Sequence, residues 1–138
     1  MKIREAIRVI GVRNGEVLLI RHANDVHWNL PGGGIENGES VTQTVTRELE
    51  EELSLSEDDF EIIHLGLISE FRTEEQVKGW DGQNNLLVVV NLAENIHPVV
   101  DGDEVVEFRF GSLDMMVYED LRDDAKETLQ QAKDLGLL

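Results

Sequence analysis

An arginine and four glutamates share one short run, Arg47-Glu48-Leu49-Glu50-Glu51-Glu52. On a helix, positions 48, 51 and 52 are related by three and four residues, so their carboxylates project from one face toward a common point. They repel one another. They also fall in the last turns of the predicted helix, where the macrodipole disfavours each anion by roughly 0.3–1 kcal/mol. A divalent cation would offset that cost. Hard carboxylate oxygens suit Mg²⁺, Mn²⁺ or Ca²⁺ and, with no imidazole or thiolate nearby, do not suit Zn²⁺. The bland alternative is a solvated face on which Arg47 pairs with Glu50 or Glu51.

What tilts the reading toward chemistry is the segment upstream. Gly32-Gly33-Gly34 leads through Ile35-Glu36-Asn37-Gly38-Glu39 to Ser40, and glycine-rich loops bring bare backbone close to a ligand. The spacing superficially matches a P-loop. Glu39, however, stands where that loop needs lysine, so phosphates here must be held through metal ions. A dinucleotide-type glycine pattern fails at Asn37. No G-x-S-x-G and no EF-hand loop occurs, and His22, His27, His64 and His97 show no ligand spacing.

Local signals say which elements carry these residues. Ser40 and Gln43 form a capping box, so a helix is predicted over Val41 to Leu53, with Val41, Val45 and Leu49 as its core stripe. Ile7–Val12 and Val17–Ile20 read as strands joined by an Asn14-Gly15 hairpin. Ile62–Ile68 and Leu86–Val90 are nearly continuous apolar runs, which predicts strands covered on both faces. Val106, Phe108 and Phe110 alternate with Glu107 and Arg109 as a half-buried strand. Leu121, Ala125, Leu129 and Ala132 mark a second helix ending near Gly136. Arg72 to Asn85 reads as a long loop, and such loops are often functional. Strands interleaved with two helices predict one layered α/β or α+β domain over residues 1–138.

Composition bounds the rest. With 138 residues, 41% hydrophobic and 30% charged, the chain is long enough for one core without disulfides or a structural metal. It has no cysteine, which excludes thiol catalysis. No apolar run reaches the ~18 residues of a membrane span, and the expectation is a cytoplasmic protein with no membrane contact. The net charge of −17 repels nucleic acid in bulk, so a phosphate-bearing substrate must be met by local cations.

The residues from Gly33 to Leu55 resemble the Nudix box, G-x5-E-x7-R-E-U-x-E-E-x-G-U with U bulky and aliphatic: Gly33, Glu39, Arg47, Glu48, Leu49, Glu51, Glu52 and Leu55 all match. Trp28-Asn29-Leu30-Pro31 and the order of elements are also similar to that family. One position departs: Ser54 replaces the helix-ending glycine, and altered helix termination is expected there. The resemblance implies an α/β/α sandwich with the box as loop-helix-loop, and Mg²⁺ or Mn²⁺ as cofactor. Glu51 and Glu52 would be the principal ligands, with Glu48 and the Gly32 carbonyl contributing and Glu39 supporting the loop or inner shell. Arg47 would hold glutamates in register with its planar fork. A further carboxylate outside the box, Glu104 in preference to Glu107, would serve as ligand or base.

The implied activity is hydrolysis of a diphosphate linkage in a nucleoside diphosphate joined to a group X, by water attack on phosphorus. With prolines only at 31 and 98, the downstream proline of the ADP-ribose subgroup is missing. Tyr118 lies too far along to be the tyrosine of the dinucleoside polyphosphate subgroup. Nucleoside triphosphates remain, giving a monophosphate and pyrophosphate. Gly82-Gln83 resembles RNA-cap-removing and diadenosine-polyphosphate members, which keeps a capped RNA end or a dinucleoside polyphosphate as alternatives. In the long loop, Trp80 is a candidate to stack on a base, and Arg72, Lys78 and Gln83 to reach phosphates or base edges. The competing class is a non-catalytic nucleotide-sensing or protein-binding module. The oligomeric state is open, a homodimer included.

Overall fold

The computed structural model describes residues 2–71, 79–112 and 120–138. Alternation in three strands decides the layering. In β1 (Ile3–Arg13), β2 (Glu16–His22) and β5 (Gly82–Leu92), successive apolar side chains point to opposite faces, and both faces are covered. Val9, Leu18, Ile20, Val88 and Val90 pack with Val45, Leu49 and Leu53 of helix α1 (Val41–Leu53). Ile10, Val17, Leu19, Leu87 and Val89 pack with Ala125, Leu129 and Ala132 of helix α2 (Asp123–Asp134). One sheet between two helical layers is the predicted α/β/α sandwich. Each fully buried Leu, Ile or Val in those two clusters contributes about 1.5–3 kcal/mol.

Among the described residues the sheet has six strands. It runs β4 (Phe60–Phe71), β5, β1, β2, β6 (Val105–Ser112), and β3 (Gly32–Gly34) pairs with β1 off that path. β1 and β5 are parallel, with Arg4 opposite Gln83 and Ala6 opposite Asn85. β1 and β2 form the expected hairpin, Val12 opposite Val17 around Asn14-Gly15. β3 lies antiparallel to β1, with Gly33 opposite Ile7 and Gly34 opposite Ala6, which fastens the glycine loop to the middle of the sheet.

The structure corrects several expectations. β4 is an edge strand, and Ile63 and Leu65 are about half exposed, so its apolar run is not covered on both faces. In β6 the valine that is buried is Val105, because the pairing with β2 shifts register between Arg21 and His22, and Phe108 on this edge strand is exposed. The loop before β5 ends sooner than its polar composition suggests: Gly82-Gln83-Asn84-Asn85 is already strand. Ser54 does not alter helix termination, since it takes the left-handed conformation itself (φ 57°, ψ 32°) and donates its N–H to the Glu50 and Leu49 carbonyls.

Candidate active site

The capping box sets the register of α1. The Ser40 hydroxyl accepts from the Gln43 N–H at 3.1 Å and the Gln43 side chain accepts from the Ser40 N–H at 2.9 Å. With the start fixed, Val45, Leu49 and Leu53 face the sheet and Thr44, Glu48 and Glu52 follow as a second ridge four residues apart, also buried. Glu51 lies off that ridge with a side chain 58% exposed, and Glu50 is exposed. The predicted trio therefore divides into two buried carboxylates and one facing solvent.

The buried ridge meets the glycine strand. Gly32 has φ 150°, and a Cβ there would overlap the Ile7 carbonyl oxygen. A Cβ on Gly33 would collide with the Glu48 carboxylate. Glycine at 33 is thus what lets Glu48 lie against the loop backbone. Glu52 Oε1 accepts from the Gly32 N–H at 2.9 Å. Both buried glutamates are seated directly on the glycine loop.

Arg47 ties the cluster together. Its Nε and Nη2 donate to the two oxygens of Glu39 at 2.7 and 3.0 Å, a forked pair. Nη1 donates to Glu48 at 2.9 Å and to Glu51 at 3.4 Å, and Nη2 also donates to the Gly34 carbonyl at 2.9 Å. Glu39 additionally accepts from the Glu36 N–H at 2.9 Å and the Thr44 hydroxyl at 3.0 Å. The registering role predicted for Arg47 fits this geometry, and Glu39 braces the loop.

The electrostatics separate the carboxylates. Hydrogen bonds from Arg47, then from the Glu36 N–H, hold Glu39 down to about 2. Burial pushes Glu52 up to about 8 against the opposing Gly32 N–H, with Glu48 adding to the rise. Burial likewise raises Glu48, partly offset by Arg47. To the mutual repulsion and unfavourable macrodipole expected from the sequence, the fold adds burial at Glu48 and Glu52.

A buried carboxylate that holds its proton at neutral pH is a group a divalent cation can discharge. The donor chemistry fits a hard cation: Glu48, Glu51, Glu52 and the Gly32 carbonyl would hold it, all through oxygen. Among the described residues no three acidic or imidazole side chains already form a metal-holding group. Glu48 and Glu51 are occupied by Arg47, and Glu52 by Gly32.

Outside the box the candidates fare differently. Glu104 is exposed just ahead of β6, tied through its backbone carbonyl to the Ala23 N–H at 2.8 Å. Its rival Glu107 is engaged by Arg21, whose Nε donates to it at 3.1 Å. Trp80 is half-buried with the Lys2 ammonium 4.8 Å from its ring centre, so one ring face already carries a cation. Gln83 is not a loop residue. It lies in β5, is 1% exposed, accepts from Arg4 at 2.7 Å and donates to Asn85 at 2.7 Å. Arg72 and Lys78 lie outside the described residues.

Sequence reading missed Arg4, Arg8 and Asn85. Arg4 and Arg8 share the face of β1 opposite α1 with Ile10, and Gln83 and Asn85 share the corresponding face of β5 with Leu87. The available signal was polar residues on one strand face, 4 and 8 flanking Ala6 in one strand and 83 and 85 in the other, where apolar ones belong.

The NUDIX domain family matches residues 2–132, and the chain belongs to that family. The chain is 44% identical over 55 residues to an RNA pyrophosphohydrolase of Tolumonas auensis, covering 40% of this chain and 32% of that protein. It is 37% identical over 65 residues to an 8-oxo-dGTP diphosphatase of Escherichia coli, covering 44% of this chain and 50% of that protein. The aligned stretch thus spans a third to a half of these curated relatives. Among solved structures, a NUDIX hydrolase from Nitrosomonas europaea superposes with TM-score 0.76 at 22% identity, covering 97% of this chain and 72% of that one. RenU of M. smegmatis does so with TM-score 0.73 at 18% identity, covering 98% and 85%. These likenesses establish the fold.

Proposed function

We propose that the protein is a metal-dependent pyrophosphohydrolase that cleaves the diphosphate linkage of a nucleoside diphosphate joined to X, with a nucleoside triphosphate as substrate and a monophosphate and pyrophosphate as products. The observation that carries this reading is the pair Glu48 and Glu52, buried against the glycine strand, with Glu52 accepting from the Gly32 N–H and Arg47 linking Glu48 to Glu39 and Glu51. Bound Mg²⁺ or Mn²⁺ would offset charge at phosphorus and acidify a water molecule. Glu48, Glu51, Glu52 and the Gly32 carbonyl would hold the cation; Glu39 and Arg47 keep the loop and helix in register. Glu104 accepts the proton as water adds across the P–O–P bond, a role for which its rival Glu107 is less suited because Arg21 holds it. A cytoplasmic location is part of the same reading, supported by the lack, among the described residues, of any helix long and apolar enough to cross a membrane.

A triphosphate-ended or capped RNA is the second substrate reading, favoured by the similarity to an RNA pyrophosphohydrolase. The charge of −17 opposes it for long chains. A panel of nucleoside triphosphates, dinucleoside polyphosphates and short 5′-triphosphate RNAs, assayed for phosphate and pyrophosphate release with Mg²⁺, Mn²⁺ or EDTA, tests both. Turnover that persists in EDTA contradicts the reading; pyrophosphate release from mononucleotides in preference to RNA supports the first form of it.

A further inference from the structure

The glycine strand has a second neighbour on the face of the sheet away from α1. Arg4 projects there, and a Cβ added to Gly34 would come within 2.6 Å of its Nη2 and 2.8 Å of its Nε. The guanidinium edge formed by those nitrogens therefore lies flat along the loop. Its third nitrogen, Nη1, is anchored by Gln83 Oε1 at 2.7 Å. Because a guanidinium can only donate, the Gln83 amide must turn its oxygen to Arg4 and its nitrogen to Asn85 Oδ1, as found. Gln83 and Asn85 are 1% and 0% exposed, so the anchor is rigid and polar in the interior of a strand. Among the described residues the bond to Gln83 is the one hydrogen bond Arg4 makes. Its Nε and Nη2 are a parallel pair of donors matched to two phosphate oxygens.

Two other arginines near the site are committed elsewhere. Arg47 is spread over Glu39, Glu48, Glu51 and Gly34, and Arg21 over Glu107 and the Asp25 carbonyl. Arg4 borders Gly34, the residue next to Gly33 on which the Glu48 carboxylate rests, so Arg4 and the proposed metal centre share one glycine strand. Two positions earlier, Lys2 lies over Trp80, so cations recur along this side of a chain carrying 29 acids and 12 bases. A metal at the glutamates neutralises only the phosphates it touches. The remainder of a polyphosphate chain still requires a positive partner in so acidic a protein.

We infer that the Nε/Nη2 edge of Arg4, held in place by the buried Gln83–Asn85 pair, is a clamp for the part of a polyphosphate chain lying beyond the metal-bound phosphate, and that it selects substrates by phosphate-chain length. Gln83 is then a positioning residue, not a loop residue touching the base. The inference deepens the proposed function and rests on it for its biological use.

The test is calorimetric titration with inorganic tripolyphosphate and with orthophosphate, both in Mg²⁺, so that neither nucleobase nor turnover is required. Arg4→Met should weaken tripolyphosphate binding by about tenfold or more while orthophosphate binding stays within about twofold. Arg4→Lys, which keeps the charge but loses the fork, should fall between, and it guards against a Met variant that misfolds. Gly34→Ala, which leaves Arg4 in place but intrudes on its edge, and Gln83→Leu, which removes its anchor, should each reproduce part of the loss. In steady state, Arg4→Lys and Gln83→Leu should raise KM with kcat nearly unchanged. Parent-like tripolyphosphate binding in both Arg4 variants overturns the clamp, and so does equal weakening of both probes or a parent that does not bind tripolyphosphate. A parent that binds tripolyphosphate through Arg4 yet hydrolyses no nucleotide overturns the proposed activity instead and leaves the clamp standing.

Discussion

Two arginines lie against Gly34, and they differ in what occupies them. Arg47 reaches the loop from α1, and its donors are shared among three carboxylates and the Gly34 carbonyl. Arg4 reaches it from β1 on the opposite face of the sheet, spends Nη1 on a buried amide and keeps its other edge along the loop. The first organises negative charge inside the protein; the second faces negative charge that must come from outside. One strand of three glycines serves both, because side chains at 33 and 34 would strike Glu48 and Arg4 respectively.

The comparison is broken most severely on the α1 side. Glu52→Gln removes a buried oxygen ligand while preserving size, and hydrolysis should fall by roughly a hundredfold or more. Arg47→Lys should cost nearly as much in rate, because an ammonium cannot bridge Glu39, Glu48 and Gly34 at once. It should also lower stability by roughly 2–4 kcal/mol by leaving buried acceptors without partners. Rates measured beside chemical denaturation separate the two effects; a Lys variant with parent-like rate and stability would show that only charge matters at 47.

The pH dependence of stability without metal sharpens the contrast between carboxylates. Glu52 is raised to about 8 from an ordinary 4.5, so between those values the folded chain binds more protons than the unfolded one. Stability should then decline as pH rises from 5 to 8, each unit of unbalanced titration being worth about 1.4 kcal/mol. Glu39, lowered to about 2, has the opposite sign: its contribution is intact above 4.5 and is lost as pH falls toward 2. Melting curves in EDTA should show the decline in the parent and a flatter profile in Glu52→Gln. An equal decline in both would place the titrating group elsewhere.

Much of the α1 side was legible in the sequence and little of the β1 side was. Ser40 and Gln43 fix the helix start through local hydrogen bonds, and the spacing of Glu39, Arg47, Glu48, Glu51 and Glu52 carries the chemistry within one continuous segment. What sequence spacing does not show is that Glu48 and Glu52 are buried on the Thr44 ridge and Glu51 is not, since that depends on how α1 sits on the sheet. Arg4, Gln83 and Asn85 form one group only because β1 and β5, far apart in the chain, pair in parallel with Arg4 opposite Gln83. Polar residues ahead of an apolar run look like loop, which is why the sequence alone assigns Gln83 to one. β4 failed for a related reason: an apolar run says that a strand is buried somewhere, not whether it lies at the edge.

Smaller effects complete the series. Ser54→Gly should stabilise the chain by about 0.5–1 kcal/mol, because serine holds φ 57° where glycine is unstrained, and leave the rate unchanged. A loss of stability would mean that the Ser54 side chain contributes more than its strained backbone costs. Glu50→Gln should change neither rate nor metal-dependent stability by more than about twofold in the measured constant, since Glu50 is exposed and off the buried ridge.

The central claim, that particular box carboxylates and not general acidity hold the catalytic cation, is tested most directly by measuring nucleoside triphosphate hydrolysis against Mg²⁺ concentration for the parent, Glu50→Gln, Glu51→Gln and Glu52→Gln. The account predicts that Glu50→Gln follows the parent curve while Glu51→Gln and Glu52→Gln need far more Mg²⁺ and reach far lower rates. Equal damage from all three substitutions, or parent-like curves for Glu51→Gln and Glu52→Gln, would contradict it.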